Sequence, residues 1–370
     1  WHLGKSLLDH PLLADQAHVL EQVAQQIQGG NYDLVIVAGD LFDRSIPPES
    51  AVQLLGSWLR RVRDGAPDTP IVIIPGNHDS GARLGFAADL IATAGVHFRT
   101  DPGRVAEPVV INTRAGERAE VWGIPFLFPG AIATGSESPG GQVEVFAAAV
   151  AQARAARDPG AIQVLVGHCF AQGGAASDSE RNYVGGASLV APDCLDGFDY
   201  VALGHLHRPQ SVTPHAIYSG SLLKYSFSEV NDQKSVAEAT VERGEPPTVT
   251  RHRLHARRDL RELEGTVDQL LADPALAEHE CHFVRITLTK AEVAGHPMNR
   301  LRQRFPHLVS LQNPASEEVT TAVPLRRRPG EKVDVMEDWK AFHAHAHNGP
   351  PAEALVDAFN NLRNAARGAL

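Results

Sequence analysis

The sequence predicts a layered α/β fold whose strands are buried on both faces. Short apolar runs of four or five residues recur in the first two thirds of the chain, and they lack the polar–apolar alternation of a sheet with one wet face. Segments with helical periodicity lie between them. Most runs end in glycine or a polar residue, followed by a side chain that could bind a metal ion. The clearest runs are 34–38, 71–74, 164–166 and 200–203.

Four helices are expected between these strands. Gly29 and Gly30 end the first helix, and Pro48 lies in the first turn of the second. Two longer connections, 130–141 and 170–188, are expected to be loops. The second follows a candidate ligand, so it either shapes a substrate groove or is a disordered surface loop. The helices are expected at 15–28, 48–63, 80–94 and 142–157.

The pattern changes near residue 255. Segment 260–271 is expected to be helical, and 282–288 alternates with period two, as a half-buried strand does. A helix at 298–305 and a strand at 308–311 complete a small α+β unit. In the tail, two apolar stripes predict two short helices separated by a break at 348–351. The stripes are Val335, Trp339, Phe342 and Ala346, then Leu355, Phe359, Leu362 and Ala366. The expected domains are 1–254, 255–328 and 329–370.

Oxygen and imidazole side chains follow the successive strands. One such residue would more often belong to an ordinary turn, but a set of six at successive strand ends favours a binding site. The absence of a thiolate argues against structural zinc and favours a two-metal centre containing Mn²⁺ or a similar ion. The carboxylate of Asp40 is suited to bridge two cations about 3.5–4 Å apart. The candidate ligands are His2, Asp40, Asn77, His168, His205 and His207.

In this order, the motifs resemble the signature of the calcineurin-like metallophosphoesterase superfamily. Segment 218–235, which includes Ser226-Phe227-Ser228-Glu229, is similar to the SbcD family of nucleases within it. The resemblance implies a four-layer sandwich of two mixed sheets flanked by helices, a small α+β capping domain and a C-terminal helical tail. The matching motifs are Trp1-His2, Gly39-Asp40-Leu41-Phe42-Asp43, Gly76-Asn77-His78-Asp79, Gly167-His168 and Gly204-His205-Leu206-His207.

The resemblance also implies a role for each residue of the site. His2 and His207 would bind one metal ion, with Asp40 as the bridge to a second ion. That second ion would be bound by Asn77, His168 and His205. His78 would act as general acid or electrostatic stabiliser, and Asp79 would orient its ring. Asp43 lies near the site without an assigned role.

The implied activity is that of a two-metal DNA nuclease, with Mn²⁺ preferred and Mg²⁺ as the alternative ion. Such enzymes act as 3′–5′ exonucleases on duplex DNA and as endonucleases on single strands, in hairpin cleavage, replication, recombination and repair. The alternatives are a phosphoesterase acting on small molecules or phosphoproteins, and a DNA-end-binding scaffold with a relic site. The capping domain and tail disfavour the first alternative, and the intact His78-Asp79 pair disfavours the second.

Partners also follow from the resemblance. The tail would bind the SbcC ATPase, although it could instead pack on the chain's own capping domain. DNA and a second copy of the chain, in a homodimer, are the other expected partners. His343, His345 and His347 are interpreted as a polar helix face rather than a metal site. Relatives carry an Asp directly before the tryptophan, so about eight residues, forming a strand, are expected to precede Trp1.

The composition limits the kinds of protein that fit these expectations. The 370 residues exceed one typical domain, and 43% hydrophobic residues support a substantial core. No membrane-spanning run or signal peptide is evident, and three cysteines fit a reduced, cytoplasmic protein. The net charge of −10 is unfavourable for DNA binding, so the cations and local arginine clusters would have to compensate. The clustered arginines are Arg251, Arg253, Arg257, Arg258 and Arg261, then Arg326, Arg327 and Arg328.

Overall fold

The computed structural model describes residues 1–132, 140–180, 189–292, 296–314, 335–346, 350–353 and 355–360. The chain divides into two units, Trp1–Leu260 and Arg261–Leu370, and each is described by itself. Among the described residues, no helix combines the length and apolar character needed to cross a membrane.

The larger unit alternates strands and helices. Its helices are α1 (Leu13–Gly29), α2 (Glu49–Gly65), α3 (Gly81–Leu84), α4 (Ala88–Ala92) and α5 (Gln142–Ala156). Its strands are β1 (Ser6–Leu7), β2 (His10–Pro11), β3 (Val35–Ala38), β4 (Ile71–Ile74), β5 (Val96–Phe98), β6 (Val109–Asn112), β7 (Arg118–Ile124), β8 (Ile162–His168), β9 (Tyr200–Gly204), β10 (Gln210–Ser211), β11 (Ala216–Tyr218), β12 (Ser235–Thr240) and β13 (Thr248–Arg253).

Two sheets carry most of this unit. The first has the order β3-β4-β5 and is parallel, and the second has the order β10-β11-β9-β8-β7-β6. In the second sheet, β7, β8, β9 and β11 run parallel, while β6 and β10 pair antiparallel at its two edges. Ala38 pairs with Ile74, and His168 pairs with Gly204. The candidate ligand loops of each sheet therefore leave from the same edge.

The layers follow from the burial of the apolar runs. Val72 and Ile74 of the three-stranded sheet pack in one cluster with Val164 and Val166 of the six-stranded sheet. A second cluster contains Phe146 of α5 together with residues of β7, β8 and β9, so this helix covers the other face of the larger sheet. The predicted layered fold, with strands buried on both faces, is confirmed.

A cleft of about 670 Å³ separates β3 from β12. Within the described residues, β3 pairs only with β4, and β12 pairs only with β13. The walls of the cleft include Val35 and Ile36 on one side and Val236 and Ala237 on the other. The cleft is therefore bounded by two strand edges that have no partner in the described sheets.

The helix predictions hold for three of the four segments. Helices α1, α2 and α5 cover 15–28, 48–63 and 142–157 to within two residues at each end. The single helix expected at 80–94 is wrong. It is divided into α3 and α4, and Ala87 between them adopts a left-handed conformation with φ of 59°. This backbone conformation cannot continue a right-handed helix.

The smaller unit contains a three-stranded sheet and short helices. Its elements are β14 (Leu260–Gly265), α6 (Val267–Ala272), β15 (Phe283–Leu288), α7 (Pro297–Arg302), β16 (Leu308–Gln312) and α8 (Val335–Ala346). The predicted helix at 260–271 is wrong over its first half, which forms β14. Leu260 and Leu263 have helical spacing, but the capping box of Thr266 and Gln269 starts the helix only at Val267.

In the tail, the first predicted helix is confirmed as α8, and residues 355–360 are helical. The rings of Trp339 and Phe359, one from each predicted stripe, stack with centroids 4.3 Å apart and an interplanar angle of 8°. His343 lies beside Trp339. The predictions for Leu362, Ala366, His347 and Arg326–Arg328, and for the side chains of Phe342, His345 and Ala346, lie outside the described residues.

Candidate metal centre

The loops of the two sheets converge because glycine precedes several of the ligands. A Cβ added to Gly204 would lie 1.7 Å from the carbonyl oxygen of Ala38, so only glycine allows β3 and β9 to approach this closely. A Cβ added to Gly76 would lie 2.2 Å from Oδ1 of Asp40. The Gly-ligand dipeptides of the sequence are therefore a packing requirement as well as a turn signal.

His2 and His207 form one half of the site. Their Nε2 atoms lie 3.0 Å apart, and both side chains are buried. Oδ2 of Asp40 lies 3.6 Å from Nε2 of His2. Two nitrogens bound at right angles to one ion, each about 2.1 Å from it, would also be about 3 Å apart. The geometry of this pair therefore fits a shared cation.

Asp40 connects this half to the other three predicted ligands. Its Oδ2 lies 3.3 Å from Nε2 of His168, which in turn lies 3.1 Å from Oδ1 of Asn77. Nδ1 of His205 lies 3.2 Å from the same oxygen of Asn77. Nδ1 of His168 is 2.8 Å from the Ala38 carbonyl, to which it can donate, leaving Nε2 free to bind a metal. All six predicted ligands thus lie in one site.

Three of these ligands have an unusual backbone conformation. The φ angle is 53° at His2, 49° at Asp40 and 105° at His205. Residues with a Cβ rarely adopt positive φ, and such strain concentrates at functional sites. The surrounding packing must therefore hold the ligand loops in place.

His78, Asp79 and Asp43 lie beside the ligands. Nδ1 of His78 is 2.9 Å from the Asp43 carbonyl, and its backbone N–H donates to Oδ1 of Asp40. The Asp79 carboxylate accepts from the backbone N–H groups of Leu41, Phe42 and Gly76 at 2.9–3.0 Å. These bonds join the two ligand loops, and the role of Asp79 in orienting the His78 ring stays a prediction. The ring itself is bonded to Asp43.

Several supporting residues were missed by the sequence analysis. Nε2 of Gln16 donates to the His2 carbonyl at 2.7 Å, and Tyr225 donates to the carbonyl of Trp1. Ser179 bonds to Nδ1 of His207, and Glu180 accepts from its backbone N–H. One signal was available, since Gln16 is a polar residue within the buried face of α1. The other contacts join segments that are distant in the sequence.

Burial keeps two of the histidines neutral. It places the pKa of His2 well below the usual value and lowers that of His205 to about 3, with the charge of His168 adding to the second shift. Neutral imidazoles are the form that binds metals. Burial also disfavours ionised Asp40, but the neighbouring His168 and His2 outweigh it and place the pKa of Asp40 well below its usual value.

The pKa values of His168 and Asp79 are raised instead. Burial lowers the pKa of His168, yet the charge and hydrogen bond of Asp40 and the Ala38 carbonyl outweigh burial, so the pKa is raised. Burial and the charge of Asp40 raise the pKa of Asp79 to about 6, against the pull of its three backbone donors. Carboxylates crowded around one point favour a compensating positive charge there.

The donor chemistry fits divalent cations. Two clusters have donor atoms within 4.8 Å of one another: His2, Asp43 and His78, and Asp40, His168 and His205. The first cluster brings in Asp43, which had no assigned role. Its Oδ1 lies 3.8 Å from Nδ1 of His2, a buried atom that has no hydrogen-bond partner among the described residues. Imidazole, carboxylate and amide oxygen donors are suited to Mn²⁺, Fe²⁺ or Zn²⁺.

The fold and this site define a class of enzyme. Residues 1–209 match the family of calcineurin-like phosphoesterases, and residues 256–343 match a family described as the type 5 capsule protein repressor C-terminal domain. The chain belongs to the calcineurin-like phosphoesterase family, which makes it a metal-dependent hydrolase. The SbcD subunit of the nuclease SbcCD from Staphylococcus epidermidis (strain ATCC 12228 / FDA PCI 1200) is 32% identical to it over 319 residues, which are 85% of this chain and 83% of the relative.

Proposed function

We propose that the protein is a two-metal DNA nuclease that hydrolyses phosphodiester bonds and works with an SbcC-type ATPase. The observation that carries this proposal is the convergence of six nitrogen and oxygen donors from both sheets on one site around Asp40. The similarity to a nuclease subunit over 85% of the chain supports DNA as the substrate.

The residues divide between two cation positions. His2 and His207 would hold one ion, Asn77, His168 and His205 the other, and Asp40 would bridge them. Mn²⁺ is the proposed ion, because the donors mix imidazole with hard oxygen ligands. When bound, such a pair supplies Lewis acidity, which polarises the phosphoryl oxygen and makes the attacking water easier to deprotonate.

His78 is proposed to assist the leaving sugar oxygen. Its Nδ1–H can donate to the Asp43 carbonyl, which fixes the orientation of the ring, and an imidazole can carry or release a proton near neutral pH. Asp79 is proposed to act indirectly, by joining the Leu41, Phe42 and Gly76 backbones through its carboxylate. These bonds hold the loop that carries Asn77 and His78 in place.

The test compares two substrates with the same enzyme. Protein loaded with Mn²⁺ is incubated with end-labelled duplex and single-stranded DNA, and separately with p-nitrophenyl phosphate esters. The proposal expects DNA cleavage that Asp40→Asn abolishes and that His18→Ala, a change at an exposed histidine of α1, leaves intact. Hydrolysis of the small esters without cleavage of DNA would support the small-molecule alternative instead.

The helical tail is the proposed contact for the ATPase. Val335 and Leu355 are each 46% exposed, and the Trp339–Phe359 stack holds the two stripes together. Exposed apolar side chains on adjoining helical segments suit a partner's apolar surface. Trp339→Ala should weaken co-purification of the ATPase, whereas Asp357→Ala, an exposed polar change, should not. Retained association after deletion of residues 333–370 would contradict this assignment.

A homodimer is also proposed. Phe86 is 81% exposed, and Leu90 on α4 is 72% exposed. Large apolar side chains exposed this close together suit a contact with a second copy of the chain. Leu90→Glu should convert a dimer to a monomer in light scattering after gel filtration. Leu8→Glu, at another exposed leucine, is the control.

A further inference from the structure

Glu229 is a buried carboxylate behind the metal centre, and the site described above gives it no role. It lies in the segment 218–235, and its side chain is completely buried. Nζ of Lys234 lies 2.6 Å from its Oε2, and Lys234 also donates to the His207 carbonyl at 2.8 Å. A buried carboxylate in contact with a buried ammonium remains ionised and can only accept hydrogen bonds.

Ser179 connects this carboxylate to a proposed ligand. Its hydroxyl is bonded to Oε1 of Glu229 and lies 2.6 Å from Nδ1 of His207. Because Glu229 can only accept, its bond to Ser179 requires the serine hydroxyl to donate. The hydroxyl of Ser177, 2.8 Å from that of Ser179, donates to the same Glu229 oxygen at 3.1 Å. The Ser179 oxygen is then free to accept from Nδ1–H of His207.

The direction of these hydrogen bonds determines the tautomer of His207. With the proton on Nδ1, Nε2 carries the lone pair that faces Nε2 of His2 at 3.0 Å. The opposite tautomer would leave a proton in that gap and a bare Nδ1 against the serine. Glu180 holds the backbone of the same residue, since its Oε1 accepts from the His207 N–H at 2.7 Å.

We propose that Glu229, acting through Ser179, fixes His207 in the tautomer whose Nε2 is free to bind a metal ion. Lys234 keeps Glu229 charged, so Glu229 can only accept the hydrogen bond from Ser179. Glu229 and Ser179 are thus positioning residues. The inference rests on the metal centre of the proposed function and is independent of the substrate.

The first test measures metal binding by Ser179→Ala. This variant removes the hydroxyl from a half-buried loop residue, so folding is at less risk than in variants of the buried Glu229. Loss of such an outer hydrogen bond typically weakens metal affinity about 10- to 100-fold. Titration with Mn²⁺ monitored by electron paramagnetic resonance should show this loss at one of two ions. Ser179→Thr should restore binding, and Ser211→Ala, at an exposed serine, should have no effect.

The second test reads the tautomer directly. In protein without metal, ¹⁵N NMR of labelled histidines, assigned with His207→Gln, should show His207 with its proton on Nδ1. Ser179→Ala should give a mixture of tautomers. An unchanged tautomer in Ser179→Ala, or parental affinity for both ions, would overturn the inference. If the parental protein bound no ion pair, the proposed function would fail, while the tautomer measurement would still decide this inference.

Discussion

Nε2 of His2 lies 3.0 Å from Nε2 of His207, although 205 positions separate the two residues in the chain. Both rings are buried, and burial places the pKa of His2 well below its usual value. At this distance one Nε2–H can donate to the other ring, or the two Nε2 lone pairs can bind one cation. The predictions below follow from this arrangement and from the packing that maintains it.

His78→Ala should abolish DNA cleavage while both ions still bind. The side chain is proposed to assist the leaving oxygen and is absent from the proposed ligand set, so we expect turnover to fall about 10²- to 10⁴-fold. Cleavage rate and bound manganese are measured on the same sample, with His18→Ala as the control. Parental turnover would show that another group protonates the leaving oxygen. Loss of manganese would show that His78 is itself a ligand.

Manganese affinity should weaken as the pH falls toward 6. Asp40 raises the pKa of His168 above its usual value, so in the metal-free protein this ring remains protonated to higher pH than a free imidazole. Because the ion must displace that proton, affinity is full above the raised pKa and is lost as the pH falls through it. Calorimetric titrations between pH 8 and 6, in buffers of different ionisation enthalpy, would detect the released proton. An affinity independent of pH would contradict this assignment.

Gly204→Ala should destabilise the larger unit. The new Cβ would lie 1.7 Å from the Ala38 carbonyl, so β9 and β3 would have to move apart. Overpacking of this kind costs about 1–3 kcal/mol, which should lower the urea midpoint. Gly56→Ala is the matched control, because a Cβ there meets nothing within 4 Å and lies within helix α2. The control should be neutral or stabilising by up to about 1 kcal/mol.

Arg258→Gln should destabilise the protein because it leaves a buried charge without its partner. The Asp15 carboxylate is fully buried, and Nε of Arg258 donates to it at 3.0 Å. Leaving a buried acceptor without its partner costs about 1–3 kcal/mol, and this range applies here because the Arg258 side chain is 19% exposed. Arg60→Gln, at an arginine whose side chain is 84% exposed, should change the melting temperature little. Similar melting temperatures for both variants would show that the ion pair with Asp15 contributes little to stability.

The sequence was sufficient to predict that most of the candidate ligands lie together, because Asp40, Asn77, His168 and His205 lie at or shortly after the ends of strands. Parallel strands within a sheet end at a common edge, so Asp40 and Asn77 had to lie close together, as did His168 and His205. Helical periodicity likewise located α1, α2 and α5. These features depend on short stretches of chain.

The features that were missed depend on distant contacts. Ser179 lies 50 residues from Glu229 and 28 from His207, and no local pattern joins them. The hairpin of β12 and β13 was missed because most of its side chains are partly or fully exposed, without a clean alternation. The error at 260–265 arose because the spacing of Leu260 and Leu263 suits a helix, whereas pairing within a sheet determines the conformation.

Anomalous diffraction from crystals soaked in manganese tests the central claim most directly. The account predicts two peaks about 3.5–4 Å apart, as in other two-metal sites. One peak should lie between His2 and His207, the second beside His168 and His205, and Asp40 should contact both. No peak at this site, with the imidazoles remaining in place, would contradict the account.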